Sequence, residues 1–115
     1  MASISASLGK SVFLEKFGDY PINRVLDFLV NFQEFDYSIV DIANKAGVGY
    51  STLKILMKTL IRNKIVIQSR IVGKAKMYKL NKENPIVKNF MQFYWNITNQ
   101  EIEKTLGARK VAIPA

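Results

Sequence analysis

The basic residues of this chain are concentrated in its middle part. Ten of the 17 lysines and arginines lie between Asn44 and Lys82, and no aspartate or glutamate lies among them. The rest of the chain holds seven basic and nine acidic residues, a net charge of −2, although the whole chain carries +8. Such asymmetry concentrates positive potential on one part of a fold and favours a polyanionic partner. The alternative is a solvated, lysine-rich surface.

The residue types that most often carry catalysis and metal binding are missing. The chain has neither cysteine nor histidine, which removes thiol nucleophiles, disulfides, the usual zinc ligands and the imidazole general base. The nine acidic residues are scattered, and no pair stands out at a spacing that would hold two carboxylates in one pocket. We therefore expect a protein that is not an enzyme and has no cofactor or metal site.

The candidate contacts with a nucleic acid depend on a helix that the pattern predicts from about Tyr50 to Arg62. Apolar residues at helical spacing would face inward, namely Leu53, Leu56, Leu60 and Met57. Ile55 would face outward together with polar and basic side chains. Lysine can donate to guanine and a threonine methyl can meet thymine, so the candidates for base edges are Tyr50, Ser51, Thr52 and Lys54. The expected phosphate contacts are Lys45, Lys58 and Arg62.

This helix must be positioned by a partner helix that begins at Ile39. Ser38 is well placed to cap the first helix, and Gly47 lies in the turn, where a positive φ is often needed. Ala43 and Gly47 are small where the two helices approach each other, and apolar residues follow the glycine at the next position and at the sixth. The spacing resembles that of a helix-turn-helix, whose second helix lies in a DNA major groove. We expect Asn63 to close this second helix, because asparagine tolerates a left-handed conformation.

A β-hairpin is predicted after the helix pair. Residues 65–67 form a β-branched run, Gly73 marks a turn, and residues 77–80 resume an extended pattern. Three basic residues are expected to cluster at its tip, where they would meet the DNA backbone or the adjacent minor groove: Arg70, Lys74 and Lys76. A structural hairpin with incidental lysines is the alternative.

Three more helices are predicted around this motif. Ser11 would cap a short helix from Val12 to Phe17 that Gly18 ends, and a scaffold helix would span residues 21–32. The last helix would begin at Pro85 and reach about Leu106, before Gly107. Its apolar residues form two stripes, the first of which contains Ile86, Phe90, Phe93, Tyr94 and Ile97. A partner subunit would cover the second, which contains Met91, Trp95, Ile102 and Leu106. The alternative is that the short N-terminal helix covers the second stripe within one chain.

The order of elements resembles the winged-helix transcription regulators of the MarR and ArsR type, and more closely the small archaeal winged-helix regulators. The resemblance covers about residues 12–95 and is carried by IVDIANKAGVGYSTL, by SRIVGKAKMYKLN across the hairpin and by NPIVK at the start of the last helix. The family usually has a glycine where this chain has Asn63 and Lys64. ArsR-type metal sensors bind through cysteine and histidine, so their chemistry is not expected here.

The resemblance implies a mainly helical α+β fold and four regions. These are a flexible N-terminus (1–10), a winged helix-turn-helix domain (11–83), a C-terminal dimerisation helix (84–106) and a tail (107–115). It also implies a sequence-specific regulator that binds double-stranded DNA as a homodimer, and it leaves a small-molecule effector undetermined. The alternatives are an architectural or plasmid-partition DNA-binding protein and a protein-interaction module; RNA binding also stays open. We find no signal peptide and no transmembrane run, and therefore expect a cytoplasmic protein without a membrane partner.

Overall fold

A computed structural model describes residues 9–112, with side chains through residue 107. In chain order its elements are α1 (Val12–Phe17), α2 (Pro21–Asn31), α3 (Ile39–Ala46), α4 (Tyr50–Arg62), β1 (Val66–Val72), β2 (Ala75–Leu80) and α5 (Pro85–Ala112). The predicted mainly helical fold with one hairpin and a long last helix is therefore confirmed. Most of the predicted flexible N-terminus, residues 1–8, lies outside the described residues. Within the described residues, no helix combines the length and the apolar character needed to cross a membrane.

Serine and glycine set the ends of the short helices, as predicted. The Ser11 hydroxyl accepts a hydrogen bond from the Leu14 amide, and the Ser38 hydroxyl accepts one from the Asp41 amide, each at 3.1 Å. Gly47 follows α3 with φ 69° and ψ 39°, a left-handed conformation that glycine adopts at little cost. The predicted turn is therefore formed, and α4 begins three residues later.

One apolar core joins all the helices to the hairpin. Each element supplies at least one buried side chain to it, including Phe13, Leu29, Ile42, Leu53, Val66, Leu80 and Tyr94. Burial of a large apolar side chain stabilises a fold by about 1.5–3 kcal/mol. The core therefore holds the helix-turn-helix, the hairpin and the first part of α5 as one body.

The hairpin is antiparallel and carries a β-bulge. Val72 pairs with Ala75 across the turn at Gly73, and Val66 pairs with Leu80 at the base, with an irregularity between Gln68 and Arg70. Tyr37 adds an isolated bridge to β2, since its amide and carbonyl both bond with Tyr78, at 2.9 and 2.8 Å. The segment before α3 is thereby fastened to the hairpin.

The junction between α4 and β1 differs from the prediction. Asn63 has an ordinary φ of −88°, and Lys64 takes the left-handed conformation, with φ 58°. Such a conformation costs a residue with a side chain about 1–2 kcal/mol. Two amides compensate, because Asn81 Nδ2 and Asn84 Nδ2 each donate to the Lys64 carbonyl at 3.0 Å. Hydrogen bonds from the turn that follows β2 therefore hold this bend.

α5 is longer than predicted. The helix continues through Gly107 to Ala112, although the sequence suggested an end near Leu106 and a loose tail from residue 107. A helical glycine costs only about 1 kcal/mol relative to alanine, and alanine, arginine and lysine, which favour helix, follow it here. Gly107 alone is therefore too weak a signal to end the helix.

The apolar surface of α5 is one broad face and not two stripes. Val87, Tyr94 and Thr98 are at most 4 % exposed and form one buried line. Tyr94 belongs to the first predicted stripe, the inner one, whereas Val87 and Thr98 lie between the two stripes. Phe90 and Met91, assigned to different stripes, both pack against the core. Ile86, assigned to the inner stripe, is 62 % exposed. The prediction failed because Val87 and Thr98, which join the stripes, were left out of the pattern.

Candidate nucleic-acid interface

The second helix of the motif is anchored along one side only. Leu53, Met57 and Leu60 of α4 are buried, and Leu56 is partly buried. Their burial confirms the predicted inward side. The rest of the helix surface is exposed, and no other described segment of the chain covers it.

Arg24 of α2 ties the turn of the motif to the scaffold. Its guanidinium donates to the Gly47 carbonyl at 2.8 Å and to Asp19 Oδ1 at 2.6 Å. Lys10 also reaches Asp19, at 3.3 Å, and the hydrogen bond from Arg24 is the main reason that the pKa of Asp19 lies below its ordinary value. These contacts fix where α4 begins. The sequence pattern gave no sign of Arg24, since its partners come from two other segments.

All four candidates for base contacts lie on the open surface of α4. Tyr50, Ser51, Thr52 and Lys54 are each exposed. The Lys54 ammonium lies over the Tyr50 ring, 5.5 Å from its centroid, a cation–π geometry that restricts both side chains. Tyr50 and Lys54 therefore form a pair on one flank of the helix.

The candidate phosphate contacts of the motif are also exposed. Lys45 lies in the last turn of α3, and Lys58 and Arg62 lie on α4. Within the described residues, none of these three forms an ion pair with an acidic side chain. Their positive charge is therefore not neutralised by that part of the protein.

The wing is the hairpin β1–β2, and the three basic residues predicted for its tip differ in their contacts. Lys74 and Lys76 are exposed near the Gly73 turn, as predicted. Arg70 instead forms a two-pronged ion pair with Asp36, with Nε to Oδ2 at 2.9 Å and a terminal nitrogen to Oδ1 at 3.1 Å. The sequence did not predict this ion pair, and the expected contact of Arg70 with the DNA backbone stays a prediction.

The bulge explains this pairing. An extra residue in β1 places Ser69 and Arg70 where both reach one carboxylate, and Ser69 Oγ donates to Asp36 Oδ2 at 2.5 Å. Hydrogen bonds from Arg70 and then from Ser69 lower the pKa of Asp36 to about 2. The carboxylate thus stays charged and links the wing to the segment before α3. Sequence spacing gave no signal for this contact.

The candidate dimer residues divide into two groups. Met91 and Trp95 pack in part against the core of their own chain, whereas Ile102 is half-buried and Leu106 is 46 % exposed. The α1 rings contact the predicted inner stripe, since Phe13 meets Phe90 and Tyr94 with ring centroids 5.4 and 5.5 Å apart. These ring contacts of α1 thus involve the inner stripe and not the second one.

A buried polar group joins α5 to α2, and the sequence pattern did not predict it. The Tyr94 hydroxyl is enclosed and donates to Asp27 Oδ1 at 2.5 Å, while Asn31 Nδ2 donates to the Tyr94 oxygen at 2.8 Å. Burial, followed by the hydrogen bond to Asp27, raises the pKa of Tyr94 to about 12. The hydroxyl is therefore neutral and fixes the register of α5 on the scaffold.

Comparison with known proteins identifies the fold. No protein-family model and no curated protein matches the chain. MepR, a transcription regulator of the Staphylococcus aureus multidrug efflux pump MepA, is similar in structure, with a TM-score of 0.59 and 20 % identity over 77 % of this chain. A cysteine-to-serine mutant of ZitR from Lactococcus lactis is similar with a TM-score of 0.55 and 13 % identity, over 95 % of this chain and 68 % of its own.

The same ZitR mutant in complex with DNA is also similar, with a TM-score of 0.54 and 15 % identity over 90 % of this chain and 69 % of its own. This chain spans 63 % of the length of MepR. At these identities the likeness establishes architecture. The chain thus has the winged helix-turn-helix fold, the fold in which MepR regulates transcription.

Proposed function

We propose that this protein is a sequence-specific regulator of transcription that binds double-stranded DNA as a homodimer. In this proposal α4 lies in the major groove, and two copies occupy successive grooves roughly 34 Å apart on a pseudo-palindromic site. The wing contacts the backbone or the minor groove through Lys74 and Lys76. The similarity to MepR and to DNA-bound ZitR supports this function.

One observation carries the proposal: the side of α4 that faces away from the core is uncovered and basic. Ser51, Lys58 and Arg62 are exposed there, and the stretch from residue 44 to 82 contributes no acidic side chain to repel phosphate. A helix that served only to pack the core would have no reason to concentrate exposed cations on its outer side. A major groove is wide enough to admit such a helix.

The dimer is proposed to form through α5. Lys16, one residue from the end of α1, meets Glu101 at 3.3 Å, and α5 continues from there to Ala112. Ile102 and Leu106 lie in that continuing part and are the members of the predicted interface most available to a partner. Met91 and Trp95, which are partly buried against the core of their own chain, would extend the interface toward the start of α5.

The salt dependence of DNA binding tests the proposal. If about four basic residues per subunit meet phosphate, the logarithm of the binding constant falls against the logarithm of salt concentration with a slope of about −7. The measurement is fluorescence anisotropy with a labelled duplex that has been selected from genomic fragments by the purified protein. A slope near zero contradicts the DNA-binding proposal.

Two lysines separate base reading from anchoring. Lys54→Ala is expected to reduce the preference for the selected duplex over random duplex by roughly tenfold, because Lys54 is assigned to base edges. Lys74→Ala is the matched control and is expected to weaken both duplexes alike, because a phosphate contact is independent of sequence. Equal behaviour of the two variants contradicts the division between base and phosphate contacts.

Footprinting distinguishes this function from its alternatives. A regulator protects one operator of defined length, whereas an architectural or plasmid-partition protein spreads along the duplex as its concentration rises. A protein-interaction module gives no footprint on DNA. The proposal therefore requires a bounded footprint on the selected site.

A further inference from the structure

Ile55 lies on the side of α4 that faces away from the core. It is 69 % exposed, the largest exposed fraction among the large apolar side chains of the described residues. At about 100° per residue, Ser51, Ile55, Lys58 and Arg62 fall within about 60° of one another around the helix axis. That arc lies nearly opposite the buried line through Leu53 and Met57. Ile55 is directly opposite the midpoint between Leu53 and Met57, and its side chain therefore points straight away from the core.

Neither packing nor helix propensity accounts for an isoleucine at this position. Its side chain is absent from the core and from the residues packed against it. A β-branched residue also loses side-chain freedom in a helix and is a poorer helix former than lysine, glutamate or alanine. An exposed helical position without a partner favours those residue types instead.

The neighbours of Ile55 indicate what it meets. Ser51 and Lys58 are its neighbours on the helix surface, one turn away on either side, and they supply a hydroxyl and an ammonium group. Polar groups of this kind suit phosphates and polar base edges. The major groove has one apolar feature for an aliphatic side chain to cover, the 5-methyl group of thymine.

We propose that Ile55 is a specificity-determining residue that reads a thymine methyl group near the centre of each half-site. This inference rests on the proposed function, because it places α4 in the major groove. Contact with the isoleucine removes the methyl group and part of the side chain from water. Ser51 then hydrogen-bonds to a base edge on one side and Lys58 to a phosphate on the other, so that Ile55 selects an A·T pair beside a position read by a polar contact.

The expected effect follows from the size of one methyl group. Burying one such group stabilises a complex by about 0.8 kcal/mol, which corresponds to about fourfold in the dissociation constant. A dimer on two symmetric half-sites makes the contact twice. Removing both methyl groups is therefore expected to weaken binding by about sixteenfold.

The test replaces thymine by deoxyuridine, which lacks only the 5-methyl group, at one symmetric pair of positions at a time in the selected duplex. Wild-type protein is expected to lose about sixteenfold in affinity at one such pair. Ile55→Ala is expected to bind the thymine duplex more weakly and to lose the difference between thymine and deoxyuridine at that pair. Ile86→Ala is the matched control, because Ile86 is an isoleucine 62 % exposed at the start of α5. It is expected to keep the full difference.

Three results overturn the inference, and they are distinguishable. Equal affinity of wild-type protein for all thymine and deoxyuridine duplexes, or a selected site without thymine, shows that the protein contacts no thymine methyl group. Either outcome leaves the proposed function intact. An undiminished methyl effect in Ile55→Ala assigns the contact to another residue. Failure of wild-type protein to prefer any duplex removes the proposed function and this inference together.

Discussion

Replacing Tyr94 with phenylalanine tests whether the polar group between α2 and α5 holds the long helix on the scaffold. The substitution removes one hydroxyl and leaves its volume and ring contacts nearly unchanged. Asp27 loses the donor at 2.5 Å and Asn31 loses the acceptor at 2.8 Å, in a place where the tyrosine is fully enclosed. A hydrogen bond to a charged group contributes about 1.5–3 kcal/mol. We expect the free energy of unfolding to fall by about 2 kcal/mol.

The measurement is urea denaturation followed by circular dichroism at neutral pH, with Tyr20→Phe as the matched control. Tyr20 is 63 % exposed, so loss of its hydroxyl is expected to change the free energy of unfolding by no more than about 0.5 kcal/mol. Equal effects of the two substitutions would refute the reasoning, because the enclosed hydroxyl would then contribute no more than a solvated one.

The same tyrosine predicts how stability depends on alkaline pH. The pKa of Tyr94 is raised from an ordinary value of 10.0 to about 12, so its contribution is complete below pH 10 and is lost as pH rises to about 12. The wild-type protein should therefore lose more stability than Tyr94→Phe across this window. Parallel curves would show that Tyr94 titrates as it does in the unfolded chain.

Three further substitutions address the wing, the bend and the dimer. The pKa of Asp36 is lowered from 3.8 to about 2, so its contribution to stability is lost as pH falls through that range. In Asp36→Asn, the free energy of unfolding measured by circular dichroism should therefore depend less on pH between about 4 and 2 than in the wild-type protein. The same pH dependence in both proteins contradicts this. Lys64→Gly should raise the free energy of unfolding by up to about 1 kcal/mol in urea titrations, since glycine adopts the left-handed conformation without a Cβ penalty. Destabilisation would contradict a strained backbone at this position. Leu106→Glu should shift the protein from dimer to monomer in sedimentation equilibrium, whereas Ile86→Glu, a similarly exposed change at the other end of α5, should not. A wild-type protein that is monomeric at micromolar concentration excludes the proposed interface.

The ion pair between Asp36 and Arg70 changes how the wing is understood. Because the guanidinium is already held by a carboxylate, Arg70 is better suited to orient the hairpin than to compete for phosphate. The bridge between Tyr37 and Tyr78 fastens the same two segments through the backbone. Lys74 and Lys76, exposed near the tip, then remain as the cations of the wing that are best placed for phosphate.

The sequence by itself determined the features that depend on near neighbours. Caps at Ser11 and Ser38, the left-handed glycine at Gly47 and the inward side of α4 all follow from interactions within a few residues, and each is present in the structure. The concentration of cations between residues 44 and 82 is likewise a property of the chain. These local signals were sufficient to predict the helix-turn-helix, the hairpin and the uncovered side of the candidate interface.

Tertiary structure decided every feature whose partners are distant in sequence. Arg70 and Asp36 are separated by 34 positions, and Tyr94 and Asp27 by 67, so no spacing rule connects them. The buried line of α5 depends on which side meets α1 and α2, and a broad apolar face does not specify that side in advance. Hydrogen bonds and ion pairs act over a few ångströms in space, and only the packing of the helices determines which residues come within that distance.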